Sequence, residues 1–155
     1  MENIKNNIKN ENSLGDAYCP SILPSVPLKP LKEIEKSIQK KYRSELWSPF
    51  RKALKDFEMV RDGDKVAVAI SGGKDSLLLS KLFQELKRAS NTEFEVVFIS
   101  MNPGFNHINL KNLKKNLDYL NIPCEIYNDN IFEIAEQIAK DYPCYMCAKM
   151  RRGSL

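Results

Sequence analysis

Two short stretches of the 155-residue chain contain side chains that commonly bind ligands or take part in reactions. The first combines two adjacent glycines with two hydroxyls, a cation and a carboxylate: Ser71-Gly72-Gly73-Lys74-Asp75-Ser76. The second places a pair of cysteines just before a group of cations: Cys144 and Cys147, then Lys149, Arg151 and Arg152. The first stretch suits a phosphate ligand, and the second suits metal or sulfur chemistry.

The glycine-containing stretch predicts an anion site for a polyphosphate. Two glycines let the backbone turn sharply and bring N–H groups close to a ligand. A following helix would direct the positive end of its dipole at the same point. Ser71 and Ser76 add hydroxyl donors, Lys74 adds a cation, and Asp75 makes sense beside phosphates if it helps to hold Mg²⁺. Two better-known phosphate loops do not fit, because they need spaced glycines, as in G-x-x-x-x-G-K-S/T or G-x-G-x-x-G.

The cysteine pair is compatible with several kinds of chemistry. A C-x-x-C turn brings two sulfurs onto one centre, because the second cysteine returns about one turn later. That spacing serves a zinc ion, an iron–sulfur cluster or a thiol–disulfide couple, and two buried apolar cysteines are the structural alternative. Pro143 before the pair and the cations after it favour accessible thiolates.

Apolar periodicity predicts the elements that must position both stretches. A continuous apolar run at 66–70 predicts a strand buried on both faces, as in a parallel sheet. A helix follows at 76–88, and two more strand–helix pairs follow it, with strands over 94–99 and 122–127 and helices over 110–120 and 131–138. Three such units in series predict an α/β fold, a parallel open sheet with flanking helices.

The chain before the first strand has a different character. Residues 1–30 combine an asparagine-rich start with four prolines, which predicts a mobile arm. Residues 31–58 predict a basic helical lead-in, and 31–155 together predict one domain. The seven basic residues between 36 and 55 form either a solvated helix face or a contact for nucleic-acid phosphates.

Composition excludes several classes of protein. The chain has 24 Lys and Arg against 20 Asp and Glu, and the resulting net charge of +4 permits a nucleic-acid partner without requiring one. No apolar run is long enough for a membrane helix, and the start has no secretory signal. Four cysteines are too few for a disulfide scaffold, so we expect a cytoplasmic protein with reduced thiols.

Taken together, these motifs resemble a known family. The stretch S-G-G-K-D-S after a strand resembles the signature S-G-G-x-D-S of the PP-loop ATP pyrophosphatase superfamily, whose members bind ATP and adenylate a substrate oxygen. The segment P-C-x-x-C-x-x-x-R-R-G, together with Asn102-Pro103-Gly104-Phe105 and the basic lead-in, resembles the tRNA cytidine 2-sulfurtransferases. The likeness spans roughly residues 38–154.

The resemblance implies an ATP- and Mg²⁺-dependent enzyme that adenylates the 2-oxo group of an anticodon-loop cytidine and replaces that oxygen with sulfur. Residues 71–76 would take the ATP phosphates, with Asp75 on Mg²⁺, and Met101 and Asn102 would contact the adenine. Cys144 and Cys147 would be two of three ligands of a 4Fe–4S cluster that carries the sulfur. The implied catalytic residues are Lys74, Asp75, Cys144 and Cys147, and the implied tRNA contacts are Lys149, Arg151 and Arg152.

The implied partners are tRNA and a sulfur donor, which is either a cysteine desulfurase or sulfide. We expect no membrane partner, and the sequence is compatible with a homodimer. The family's third cluster ligand and a later ATP-site segment lie beyond the part that this chain matches. The superfamily sheet resembles five parallel strands in the order 3-2-1-4-5, and the sequence predicts three, which leaves the first strand at an open edge. We therefore expect an N-terminal piece of a longer enzyme, inactive in thiolation by itself.

Three other interpretations stay open at this point. The chain could be a truncated nucleotide-binding module with no chemistry of its own. It could use Cys144 and Cys147 as a persulfide and disulfide couple without iron. It could also be another PP-loop enzyme, such as an amidating synthetase, which would not need the cysteine pair.

Overall fold

The computed structural model describes residues 27–139 and 142–154. The predicted arm at 1–30 therefore lies, up to residue 26, outside the described residues. The elements follow in chain order, with a π-helical segment, Arg43–Trp47, between the first two helices: α1 Leu31–Gln39, α2 Ser48–Asp56, β1 Lys65–Ala69, α3 Lys74–Ala89, β2 Glu95–Asn102, α4 His107–Tyr119, β3 Cys124–Asn128, α5 Ile131–Ile138 and α6 Pro143–Ser154.

The three strands form one parallel sheet in the order β1-β2-β3. In the observed register Val66 pairs with Val96, and Ser100 pairs with Ile126. Since neighbouring strands run in parallel, each connection must cross over the sheet, and crossovers of one hand bring α3 and α4 to the same face. The predicted α/β fold with a parallel open sheet and flanking helices is confirmed.

The main core lies between that face of the sheet and α3 with α4. Val68 and Phe98 of the sheet belong to one cluster of buried apolar side chains with Leu82 of α3. The helical lead-in covers the outer side of α3, where the Phe50 and Phe83 rings meet edge to face with centroids 5.3 Å apart. The lead-in is thus packed onto the domain by its apolar side, while its seven cations stay exposed.

The prediction that the first strand is buried on both faces is wrong. Ala67 and Ala69 are exposed, whereas Val68 is buried against the helices. The physical reason is the sheet order, because β1 is an edge strand and both long crossovers cover the same face. On the opposite face, the apolar cluster formed by α5 and α6 packs against Met101, near the carboxyl end of β2. An apolar sequence pattern includes alanine whether it is exposed or buried, so the pattern does not predict which face of the strand is covered.

A buried ion pair ties the lead-in to the sheet domain. The ammonium of Lys81 in α3 is 2% exposed and donates to Glu35 at 2.6 Å, to Gln84 at 2.7 Å and to the Leu120 carbonyl at 3.1 Å. All three ammonium protons therefore have acceptors, which is what allows a lysine to be buried. The hydrogen bond from Lys81 is the main cause that lowers the pKa of Glu35 below its ordinary value of 4.5.

No helix in the described part of the chain is long and apolar enough to cross a membrane.

Candidate active site

The stretch at residues 71–76, called the phosphate loop below, joins the carboxyl end of β1 to the first turn of α3. Gly72 adopts a φ of +87°. A Cβ at this position would lie 3.3 Å from Leu113 Cδ1, in a backbone conformation that L residues rarely adopt. Gly73 precedes the helix with an ordinary φ of −75°. The requirement for glycine is therefore concentrated at Gly72.

The two hydroxyls of the phosphate loop bond within the loop itself. The Ser76 hydroxyl donates to the Gly73 carbonyl at 2.8 Å, and the N–H of Gly73 donates to Ser71 Oγ at 3.4 Å. The hydroxyl oxygens of Ser71 and Ser76 lie 3.3 Å apart. These bonds gather both hydroxyls at the start of α3, where the first turn of a helix leaves N–H groups without intrahelical partners. The arrangement is suited to binding an anion.

Lys74 and Asp75 begin α3 and point into solvent. Their side chains are 90% and 87% exposed, and the ammonium lies 2.7 Å from Asp75 Oδ1. An ion pair this exposed is weak, so either side chain can turn toward a ligand. A single carboxylate beside phosphate oxygens is also the protein contribution that Mg²⁺ commonly takes.

Two buried serines support the phosphate loop from behind, and sequence reasoning missed both. The Ser100 hydroxyl of β2 donates to the Ile70 carbonyl at 2.8 Å, directly before the loop. The Ser80 hydroxyl of α3 donates to the Ser76 carbonyl at 2.8 Å. Both side chains are buried. The available signal was a hydroxyl inside an otherwise apolar strand and helix face, where a buried polar group needs a partner.

The cysteine pair lies in the first two turns of α6, with Cys144 as the second residue of the helix and Cys147 one turn later. Pro143 favours this helix start, because its fixed φ suits a helix and its missing N–H would have had no intrahelical partner. The two thiols approach one another, since residues three apart are neighbours on a helix surface.

The two thiols have different surroundings. Cys144 is exposed, whereas Cys147 is 9% exposed and packs in an apolar cluster with Ile131 and Ala135 of α5. Both are reduced, as is Cys124. Cys124 is half-buried against the main core, and burial raises the pKa of its thiol.

The phosphate loop and α6 meet at one cavity, called the sheet-end cavity below. Its volume is about 340 Å³, and its lining comes from the ends of β1 and β2, the start of the phosphate loop and α6: Ala69, Ile70, Ser71, Ile99, Met101, Ala148, Arg151 and Arg152. Met101 also packs against the apolar cluster that contains Cys147. The structure therefore brings the two chemical stretches of the sequence to the same edge of the sheet.

The rotation of α6 about its axis decides which residues reach the cavity. Ala148, Arg151 and Arg152 line it and so mark one side of the helix. Cys147 packs on α5, whereas Cys144 is exposed and is absent from the lining of the cavity.

Of the three predicted basic contacts for tRNA, two line the sheet-end cavity and one does not. Arg151 is half-buried and Arg152 is exposed, and both line the sheet-end cavity. The Nε of Arg152 donates to the Ala148 carbonyl at 3.3 Å. Lys149 is exposed and is absent from the lining of that cavity.

The two predicted adenine contacts are also separated. Met101 lines the sheet-end cavity, whereas Asn102 organises the turn that follows β2. The Asn102 Oδ1 accepts from the N–H groups of Gly104 at 3.2 Å and Phe105 at 2.7 Å. Its Nδ2 donates to Asn128 Oδ1 at 2.9 Å, which ties β2 to β3. With its side chain buried, Asn102 shapes the wall of the site in this structure.

A second cavity of about 240 Å³ lies on the other side of the phosphate loop. Ser71 and Gly72 line it together with a polar face of α4: Asn109, Asn112 and Asn116. Sequence reasoning missed this face, although the spacing of three and then four residues places all three asparagines on one side of a helix.

The donor set for metals is partial within the described residues. No group of three His, Cys, Asp or Glu side chains among them is arranged to hold a metal ion. The cysteine pair provides two sulfur atoms about one helical turn apart. A third ligand would have to come from outside the described residues.

No family model matches the chain. The chain is similar to curated tRNA-cytidine(32) 2-sulfurtransferases from several bacteria. It is 34% identical to the one from Pelobacter propionicus over 106 residues, which is 67% of this chain and 39% of the relative. It is 36% identical to the one from Acinetobacter baumannii over 109 residues, which is 66% of this chain and 35% of the relative.

A third relative of the same name, from Paraburkholderia xenovorans, is 34% identical over 109 residues, which is 66% of this chain and 31% of the relative. The matched part thus spans between 31% and 39% of the length of these curated relatives.

Proposed function

We propose that the chain, which is similar to these sulfurtransferases, is a PP-loop protein that provides the ATP-binding and sulfur-carrying part of an enzyme that thiolates a cytidine of tRNA. The observation that carries the proposal is the meeting of the phosphate loop and the cysteine-bearing helix at the sheet-end cavity. ATP-dependent activation and sulfur transfer need both groups within reach of one substrate atom.

The phosphate loop binds ATP in this proposal. The Ser71 and Ser76 hydroxyls and the first N–H groups of α3 donate to phosphate oxygens, and Gly72 allows the close approach of the backbone. Lys74 leaves its exposed contact with Asp75 and adds a cation to the phosphates. Asp75 would hold Mg²⁺, which bridges phosphate oxygens and neutralises their charge. Met101 provides apolar surface for the adenine.

The reaction proceeds in two displacements. The 2-oxygen of the cytidine attacks the α-phosphorus of ATP, the bond to the β-phosphate breaks and pyrophosphate leaves. A sulfur nucleophile then attacks the activated carbon, and AMP leaves with the former 2-oxygen. The chemical logic is that a ring carbonyl oxygen is a poor leaving group until it is bonded to phosphorus. Residues of the phosphate loop act by stabilising charge that develops on the phosphates.

Cys144 and Cys147 serve the sulfur step. As two of the three protein ligands of a 4Fe–4S cluster, they would leave one iron without a protein ligand, and that iron would hold the sulfur to be transferred. The buried position of Cys147 in the apolar cluster with Ile131 would exclude water from this side of the site. Cys144 is exposed, so of the two thiols it is the one that a substrate can reach.

A second chemistry for the same pair has its own observation. Cys144 is exposed at the start of a helix and Cys147 is buried one turn later. A helix N-terminus stabilises a thiolate, and a second thiol at this spacing can resolve it. In that case Cys144 would carry a persulfide received from the persulfide of a cysteine desulfurase, and its outer sulfur would attack the activated carbon as AMP leaves. Attack of Cys147 on Cys144 Sγ would then break the bond to the transferred sulfur, release the thiolated cytidine and leave a disulfide, which an external thiol reduces before the next turnover. Iron and sulfide content after anaerobic reconstitution separates this alternative from the cluster.

The partners of the proposed reaction are tRNA and a sulfur donor, either a cysteine desulfurase or sulfide. The exposed cations of the lead-in and Lys149 offer contacts for tRNA phosphates. We place the reaction in the cytoplasm, which keeps thiols reduced. A homodimer remains compatible, and sedimentation of the purified protein tests it.

The decisive experiment measures release of pyrophosphate from ATP with tRNA that lacks 2-thiocytidine and with fully thiolated tRNA as its matched control. We expect release with the first tRNA only, and its loss in Asp75→Asn. Cys144→Ser and Cys147→Ser should keep the release of pyrophosphate. In a preparation whose wild-type protein forms 2-thiocytidine, both variants should abolish that product, which is measured by mass spectrometry of digested tRNA.

Three results would count against the proposed function. Equal release of pyrophosphate with unthiolated and fully thiolated tRNA would show that the 2-oxo group of cytidine is not the activated group. Full activity of the double cysteine variant on another carbonyl substrate would favour an amidating or similar PP-loop enzyme. Binding of ATP with no tRNA-dependent release would favour a nucleotide-binding module.

A further inference from the structure

We propose that Arg151 and Arg152 bind phosphate oxygens of the nucleotide in the sheet-end cavity, rather than the backbone of tRNA. The inference rests on the proposed nucleotide site but not on tRNA thiolation. It assigns α6 two tasks, since the helix that carries the sulfur pair would also complete the binding site for ATP.

The first argument is the charge of the cavity. Two guanidinium groups and the Ser71 hydroxyl line it, and none of the described lining residues is acidic. No carboxylate of the described residues lies within 4.0 Å of either arginine, whereas Arg61 and Arg88 each have such a partner. A cavity with two cations and no described counter-charge favours an anionic ligand.

The second argument is continuity with the phosphate loop. Ser71 belongs both to that loop and to the lining of the cavity. Phosphates held at the start of α3 would therefore lie at the mouth of the space that the arginines line. Arginine is suited to this contact, because its planar fork of donors matches two phosphate oxygens at once. The bond from Arg152 Nε to the Ala148 carbonyl leaves the terminal nitrogens of that guanidinium for a ligand.

The third argument is size. A volume of about 340 Å³ falls within the range of small-molecule sites, roughly 300–1,000 Å³. A tRNA backbone needs an exposed surface, and the described chain offers one in the cations of the lead-in. Lys149 provides an internal comparison, because it lies on the same helix with the same charge but does not line the cavity.

The test is calorimetric titration of the purified chain with three probes, which are Mg²⁺-ATP, inorganic pyrophosphate and adenosine. Arg151→Gln and Arg152→Gln should each raise the Kd for ATP and pyrophosphate by about ten- to a hundredfold, the size expected for a charge-assisted hydrogen bond. Adenosine should bind these variants as it binds the wild-type chain. Lys149→Gln should change all three affinities by no more than about twofold, as expected of a surface substitution.

A second measurement needs no variant. Phenylglyoxal modifies arginines, and peptide mass spectrometry reads each site. ATP should protect Arg151 and Arg152 in the wild-type chain while exposed Arg43 of the lead-in reacts at an unchanged rate. This readout applies even if a substitution in α6 prevents folding.

The proposal is overturned if ATP leaves both arginines unprotected, or if the folded glutamine variants bind ATP and pyrophosphate like the wild type. Loss of tRNA affinity alone in those variants would assign the arginines to tRNA instead, and absence of any ATP or pyrophosphate binding by the wild type would also overturn it. Protection by ATP with no tRNA-dependent release of pyrophosphate would uphold this inference while refuting the proposed function.

Discussion

The conformation of Gly72 yields a prediction that joins stability to nucleotide binding. In Gly72→Ala, the alanine must adopt a φ of +87°, and its Cβ must lie 3.3 Å from Leu113 Cδ1. Positive φ costs an L residue about 1–2 kcal/mol, and the stiffer unfolded chain returns about 0.4–1 kcal/mol. Leu113 is buried, so it cannot move away freely, and crowding adds about 1–2 kcal/mol. We expect Gly72→Ala to lower the free energy of unfolding by about 2–3 kcal/mol.

Two other glycines provide matched controls. Gly63 has a similar φ of +84°, but a Cβ there meets nothing within 4 Å, so Gly63→Ala should cost only about 0.5–1 kcal/mol. Gly73 has an ordinary φ, and a Cβ there meets only Ser71 Oγ at 3.6 Å. Gly73→Ala should therefore show a smaller loss of stability than Gly72→Ala within the same loop.

The assays are urea unfolding and calorimetric titration with ATP. Gly72→Ala should weaken ATP binding about tenfold or more, because displacing the backbone removes donated hydrogen bonds to charged oxygens. Gly63→Ala should bind ATP like the wild-type chain. Equal losses of stability at Gly72 and Gly63, together with unchanged ATP affinity at Gly72, would refute the reasoning.

Three further predictions concern pH, the support of the loop and the thiols. Since Lys81 lowers the pKa of Glu35, the ionised carboxylate stabilises the folded protein fully above the unfolded-state pKa, and this stabilisation is lost as the pH falls through the folded-state pKa. Glu35→Gln should therefore lower the free energy of unfolding by about 1–3 kcal/mol at neutral pH and make Tm fall less steeply at acid pH. Ser100→Ala should cost about 1–3 kcal/mol in urea unfolding, because it leaves a buried carbonyl without its hydroxyl donor; an unchanged midpoint would contradict this. Iodoacetamide should alkylate Cys144 before Cys147 in the cluster-free chain, and equal rates by peptide mass spectrometry would show that α6 does not shield Cys147.

Much of the fold could be predicted from local patterns. The apolar run at 66–70 and the helical spacing at 131–138 correspond closely to β1 at Lys65–Ala69 and α5 at Ile131–Ile138. These elements depend on periodicity and on hydrogen bonds between residues close in the chain. The pattern could not predict the burial of Lys81, since its acceptors Glu35 and Leu120 come from distant parts of the sequence.

Local sequence patterns indicate which groups are available for binding and catalysis and which elements carry them. Glycines between a strand and a helix predict a phosphate loop, and two cysteines three apart approach each other in a turn or in a helix. Packing between distant segments leaves Ala69 exposed and places Arg151 and Arg152, but not Lys149, at a cavity with Ser71. The physical reason is that the covered face of a sheet and the rotation of a helix about its axis depend on packing between distant segments.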